Sequence, residues 1–204
     1  MGRTKRGPAA VLATAGLLAL GCLDATSPGL DDDGQNPEDE VACLVDPSPP
    51  SFPALPARLP PPAVTTGAVP HQQIDPDVFP ELIASMSGQI FAFPEVESRP
   101  STIVDDATAI WLTSDFNFGR PECVIREREL GHIHADGSLH ITLPHARIPG
   151  AADAGWIERH PWSTTRPRFS AYVMVFTPRD VAEVELIVDL VEVAIDFVRG
   201  STGE

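Results

Sequence analysis

Arg128-Glu129-Leu130-Gly131-His132-Ile133-His134-Ala135-Asp136-Gly137-Ser138-Leu139-His140 is the stretch from which the fold of this 204-residue chain is read. Two short apolar runs flank Asp136-Gly137, a dipeptide that favours tight turns, so the segment reads as a β-hairpin. Three of the six histidines sit on it. His132 and His134 are two apart and leave a strand from the same face. The turn decides the third. A two-residue turn at Asp136-Gly137 pairs His134 with Leu139 and sends His140 to the other side. A three-residue loop, Ala135-Asp136-Gly137 with Gly137 left-handed, sets His132 opposite His140 and gathers all three imidazoles on one face. Both readings stay open at this level.

Outward from the turn, the arms extend over Cys123 to His134 and Leu139 to Leu143, a hairpin at 123–143. Upstream, Thr102 to Leu112 is β-leaning, and Asp75 to Met86 reads as a capped helix with Pro80 in its first turn or breaking it. Downstream, Ala151 to Ile157 reads as a short helix. Phe169 to Phe176, dense in β-branched and aromatic residues, is the cleanest strand. The last helix is read from Thr177 as N-cap, Pro178 at the first position, an acid at Asp180 and Gly200 as the stop. At 100° per residue, Glu185, Asp189, Glu192, Asp196 and Arg199 fall in one arc of about 80°, which leaves a wide apolar surface. Glu183 lies nearly opposite that stripe. The expected class is α+β: a mainly antiparallel sheet packed against a long C-terminal helix.

The formal charge of -15, with no basic cluster beyond the first six residues, excludes a nucleic-acid footprint. Arg3, Lys5 and Arg6 followed by the apolar Ala9 to Leu20 read as a secretory signal. Its end, Leu18-Ala19-Leu20-Gly21-Cys22, resembles a bacterial lipobox, which implies lipidation at Cys22 and an exported protein held on the cell envelope. The only expected membrane contact is that anchor. Residues 22–68, rich in Pro and acid, are expected to be a disordered tether, and 69–204 the folded domain. An exported setting permits a Cys43–Cys123 disulfide, with two free thiols as the alternative.

Taken together, Arg128 to His134, Leu139-His140, Gly155-Trp156 with Arg159-His160-Pro161, and Thr177 to Asp180 with Glu183 resemble the luciferase domain of fungal luciferases, a domain that bacterial proteins also carry. The resemblance runs from about Arg126 to Val198. The loop after His134 is shorter here, and a lipobox stands where the fungal enzymes have a membrane-spanning N-terminus. Those enzymes add oxygen to a hydroxylated pyrone, with no metal or organic cofactor generally invoked. The resemblance thus implies oxygenase-like action on a small enolic or phenolic compound. Its implied catalytic set is His132, His134, His140, His160, Arg159 and Glu183, with Arg128, Trp156 and Arg179 as substrate contacts.

On their own chemistry, His132, His134 and His140 could hold a metal as a three-histidine site, or one could act as a general base. The bland alternative has two on the surface and one packed against Trp156. Arg159 and Arg179 could fork onto a substrate anion. Equally, Arg179 could clamp Glu183 four residues on, and Arg159 could close off Glu129. Trp111, Trp156, Trp162 and Tyr172 are candidates for an aromatic pocket or for core. The chain has no Gly-rich phosphate loop, no Gly-x-Ser-x-Gly elbow and no Cys/His nucleophile pair. Nothing sets Glu129 and Glu183 at a glycosidase separation. Two other functions fit the sequence: a non-catalytic envelope module binding a small ligand or partner, and a metal-dependent hydrolase on the same histidines.

Overall fold

The computed structural model describes residues 41–200. The signal expected over 1–21, Cys22 and the first part of the tether lie outside them. Among the described residues, six strands form one antiparallel sheet: β1 (Val96–Pro100), β2 (Thr108–Leu112), β3 (Glu129–Ile133), β4 (Leu139–Thr142), β5 (Ile157–Arg159) and β6 (Tyr172–Val175). Their order is β1-β2-β3-β4-β6-β5. Three α-helices accompany them: α1 (Pro80–Ile90), α2 (Ile148–Asp153) and α3 (Val181–Arg199). The class is α+β, with α3 packed on the sheet, as the sequence reading expects. No helix of the described residues is long and apolar enough to cross a membrane.

Helix α3 begins later than the Thr177 reading places it. Asp180 is the N-cap, its side chain accepting from the Glu183 N–H at 2.8 Å. Pro178 therefore precedes the helix. Gly200 ends it in the left-handed region at φ 78°. Val184, Ile187, Leu190, Val191, Ala194, Phe197 and Val198 are all buried, while Glu185, Asp189 and Glu192 stay exposed. Against this helix the sheet presents Ile110, Leu112, Ile133, Leu139, Ile141, Val173 and Val175. Alternation then sends Ala109, Trp111, His132, His140, Thr142, Tyr172 and Met174 to the opposite face.

Several boundaries differ from the sequence reading. The 123–134 arm forms a strand only from Glu129, because Pro121–Cys123 is a 3₁₀ turn and Glu127 takes a positive φ. The first helix starts at Pro80, where proline needs no N–H partner. The second helix is Ile148–Asp153, and Ile157 begins β5, which lies on the sheet edge beside β6. Phe169 belongs to a 3₁₀ turn, so β6 is shorter than 169–176. Strand β1 has a polar, exposed sequence that carries no apolar alternation.

Residues 41–68, expected to hang free as tether, instead run extended against the domain. Cys43 is buried and disulfide-bonded to Cys123. The Trp156 indole N–H donates to Pro56 O at 2.7 Å, and Arg58 N donates to Ala154 O at 2.8 Å. The Arg58 guanidinium reaches Glu183 Oε2 at 2.6 Å and donates to Thr177 O at 2.5 Å. A proline-rich strap cannot build a core of its own, but its carbonyls, rings and one arginine can satisfy a surface that another element provides.

Candidate functional site

The hairpin closes with the three-residue loop. His132 lies opposite His140, His134 N donates to Ser138 O at 2.8 Å, and Gly137 has φ 86°. The three imidazoles therefore share one face. His134 and His140 have ring centroids 4.8 Å apart, and His132 lies 5.2 Å from each. Two further histidines join them. His160 leaves the end of β5 and stands 4.9 Å from His140. His71 comes from the segment ahead of α1 and stacks on His140 at 5.3 Å, the planes 13° apart.

A β-bulge adds a carboxylate. Trp111 pairs with Glu129 and Ile110 with Gly131, so Leu130 is an extra residue on β3. The bulge turns Leu130 into the core and puts Glu129 on the face of His132, though the two are three apart. Glu129 is fully buried, and its oxygens take hydrogen bonds from Ser101 Oγ at 2.7 Å, Thr102 N at 2.9 Å and Thr102 Oγ1 at 2.7 Å. Burial by itself would raise its pKa. Its contacts with His132, Thr102 and Ser101 outweigh that and hold it below the usual value.

From Glu129 a row of rings crosses the face. Glu129 Oε1 is 3.0 Å from His132 Nδ1, His132 Nε2 is 3.2 Å from His140 Nδ1, and His140 Nε2 is 3.2 Å from His71 Nδ1. His71 Nε2 ends the row 3.5 Å from Glu158 Oε1. Beside it, His134 Nδ1 meets Ser138 Oγ at 3.0 Å, and His160 Nδ1 accepts from Trp162 N at 3.1 Å. Burial, reinforced by neighbouring histidines, lowers the pKa of His134 to about 4 and of His160 to about 3, and pushes His140 well below 6.5. These rings are neutral at pH 7. Burial also raises Tyr172 well above 10, so its buried hydroxyl stays protonated.

The five imidazoles, with Tyr172, Trp162 and Ile103, line a cavity of about 280 Å³. Two trios, His132/His134/His140 and His71/His140/His160, each bring one ring nitrogen per residue within 4.8 Å of the others, close enough to hold a metal ion.

Not every residue in the implied set reaches this cavity. Arg159 is exposed on the opposite side of β5 and donates to Ser170 O at 3.1 Å. Glu183 and Arg179 pair at the start of α3, at 2.7 Å, and Arg179 also donates to Leu59 O at 2.6 Å. Arg58 and Arg179 outweigh the burial of Glu183 and lower its pKa to about 2. Arg128 donates to the carbonyls of Leu112 at 2.9 Å and Phe116 at 3.0 Å, and to that of Thr113, which fastens the loop after β2. Trp156 is buried against the strap, and Trp111 stacks with Arg99. These groups build the fold around the cavity. His71 and Glu158 are the site residues that the sequence reading passes over. His71 lies three residues past the end of the expected tether, and no local pattern marks it.

Residues 127–194 match the model of the Luciferase domain, while no curated protein and no solved structure matches the chain. The matched segment is less than half of the chain, and it runs from the start of β3 through most of α3. It holds Glu129, His132, His134, His140, Glu158, His160 and Tyr172, and it leaves out His71, Arg58 and the strap. Over residues 127–194, then, this chain is similar to the Luciferase domain.

Proposed function

We propose that this chain is an oxygenase-like enzyme for a small enolic or phenolic compound, bound in the histidine-lined cavity. A neutral cavity imidazole takes the hydroxyl proton, and the row of rings carries charge away from it. The resulting anion gives an electron pair to O₂ at carbon. A C–O bond forms, and the proton returns to the outer oxygen as a hydroperoxide. The observation that carries this reading is the row of buried imidazoles open to a cavity, with a buried carboxylate fixing the first ring. Tyr172, kept protonated, has no hydrogen-bond partner for its hydroxyl among the described residues and is placed to donate to a substrate oxygen.

The test is oxygen uptake by the purified chain across a panel of hydroxypyrones, enols and catechols. His140→Ala should lower uptake by about 100-fold or more, the usual range for lost acid–base catalysis. Arg159→Ala, outside the cavity, should leave it within about 3-fold. Uptake by neither the wild type nor the variants on any member of the panel would sink the reading. The same proposal sets the domain on the cell envelope through lipidated Cys22; a Cys22→Ser variant still found in membranes would remove that part.

A further inference from the structure

Hydrogen-bond partners fix which nitrogen of each cavity ring bears its hydrogen. At neutral pH the Glu129 carboxylate can only accept, so His132 carries a hydrogen on Nδ1, and Nε2 is its nitrogen free to face a cation. Ser138 Oγ gives its hydrogen to Asp136 Oδ1 at 2.7 Å. It can then only accept from His134 Nδ1, which leaves a lone pair on His134 Nε2. His160 is the reverse case. Its Nδ1 accepts from Trp162 N, so the neutral ring has its hydrogen on Nε2 and cannot coordinate a cation through that atom.

The row that starts at Glu129 ends in a buried nitrogen with no hydrogen-bond partner among the described residues. It has three contacts at hydrogen-bond distance, Glu129 to His132, His132 to His140 and His140 to His71, and beyond them His71 Nε2 stands 3.5 Å from Glu158. Each of the three contacts takes one hydrogen, and an imidazole in its neutral form carries one. If all three hydrogens point toward Glu129, His71 Nε2 turns a lone pair to the Glu158 carboxylate. If instead His71 turns its hydrogen to Glu158 and His140 donates to His71, neutral rings leave none for the 3.2 Å gap between His132 Nε2 and His140 Nδ1. Two lone pairs then face each other there. One ring nitrogen each of His132, His134 and His140 lie within 4.8 Å of one another.

We infer that His132 Nε2, His134 Nε2 and His140 Nδ1 form a mononuclear site for a divalent transition-metal ion, its fourth position open to the cavity. Tetrahedral metal–imidazole bonds of about 2.0–2.1 Å set nitrogens roughly 3.3–3.4 Å apart, close to the His132–His140 gap. With the ion in that gap, the outer nitrogen of each ligand has an acceptor: His132 on Glu129, His134 on Ser138 and His140 on His71, and His71 Nε2 in turn faces Glu158 at 3.5 Å. Such hydrogen bonds behind the ligands orient rings at metal sites and raise their basicity. Three imidazoles suit zinc, copper, iron or nickel, and not magnesium or calcium. The trio His71/His140/His160 would instead need the nitrogen of His160 that bears hydrogen. The site shares the cavity of the proposed reaction and does not depend on it.

Chelator-stripped full-length protein is titrated with cobalt(II), read by its visible absorption, and with zinc(II) in competition. One equivalent should bind, with the strong absorption of a tetrahedral cobalt site. His134→Ala should weaken binding by about 100-fold and Glu129→Gln by about 10-fold or more, while His160→Ala stays within about 3-fold. His134 is half-buried, and circular dichroism checks that its variant is folded. No saturable binding by the wild type would overturn the site and leave a proton as the occupant of the gap. Equal loss in His160→Ala and His134→Ala would overturn this choice of ligands. Neither result depends on oxygen uptake, so failure here and failure of the proposed reaction are told apart.

Discussion

At the scale of single residues, two neighbours on β3 decide what the site contains. Leu130 is the bulge that brings Glu129 and His132 to one face. Gly131 follows it. A Cβ there would stand 2.2 Å from His140 O and 2.7 Å from Ile141 Cγ2. The first of these atoms is backbone of the paired strand and cannot swing aside. Gly131→Ala should therefore force β3 and β4 apart where His132 faces His140, at a cost of about 3 kcal/mol. Urea unfolding measures it, and an unchanged midpoint would show that the strands have slack the register does not suggest. Glu129 illustrates a different limit. In sequence it is one glutamate among many acidic residues, and strand parity places it opposite His132. Only the extra residue at Leu130 reverses that parity, and a bulge leaves no mark in the composition of the strand.

Among the elements, legibility follows local signal. The last helix is readable because its polar stripe, its stop at Gly200 and its length are all local, and the hairpin because Asp136-Gly137 demands a turn. The choice between two- and three-residue loops was not readable, since both suit Asp-Gly. It fell to the pairing of His132 with His140, with Asp136 also accepting from Ser138 N and Oγ inside the loop. Strand β1 was missed because its side chains are mostly exposed and its apolar contribution is confined to Val96. The strap is hidden for the opposite reason. Its composition correctly says that it cannot fold alone, but its stability comes from distant partners: Cys123, Trp156 and Glu183. Arg58 lies 125 positions from Glu183, and His71 lies 69 from His140. No window along the chain can join such pairs. The candidate site was thus half legible, with the hairpin histidines and His160 visible and the ring contributed by the leading segment hidden.

For the whole molecule, burial of neutral histidines and of one paired carboxylate makes stability depend on pH. His134 and His160 titrate near 4 and 3 when folded, against 6.5 when exposed. Between those values the unfolded chain binds more protons than the native one, so stability must fall as pH drops below 6.5. Two such groups give a slope of up to about 2.7 kcal/mol per pH unit near pH 5. Glu183 acts in the same direction at lower pH. Its carboxyl titrates at about 2 when folded against 4.5 otherwise, so its contribution is complete above 4.5 and is lost toward 2. Glu183→Gln should remove that lower portion. It should also cost about 3 kcal/mol at neutral pH, because Arg58 is left buried without its anion. Urea midpoints of the chelator-treated protein at pH 7.5, 5.5 and 4 are the direct measurement. They should be level above pH 7, fall by pH 5.5 and fall further by pH 4. A bound metal ion would hold His132, His134 and His140 unprotonated and delay the fall, so adding zinc should flatten the upper part of the profile and leave the Glu183 portion in place. A midpoint that does not move between pH 7.5 and 5 in the metal-free protein would mean that these rings are wetted or already charged in the native state, which would remove the neutral cavity imidazole that the proposed chemistry needs.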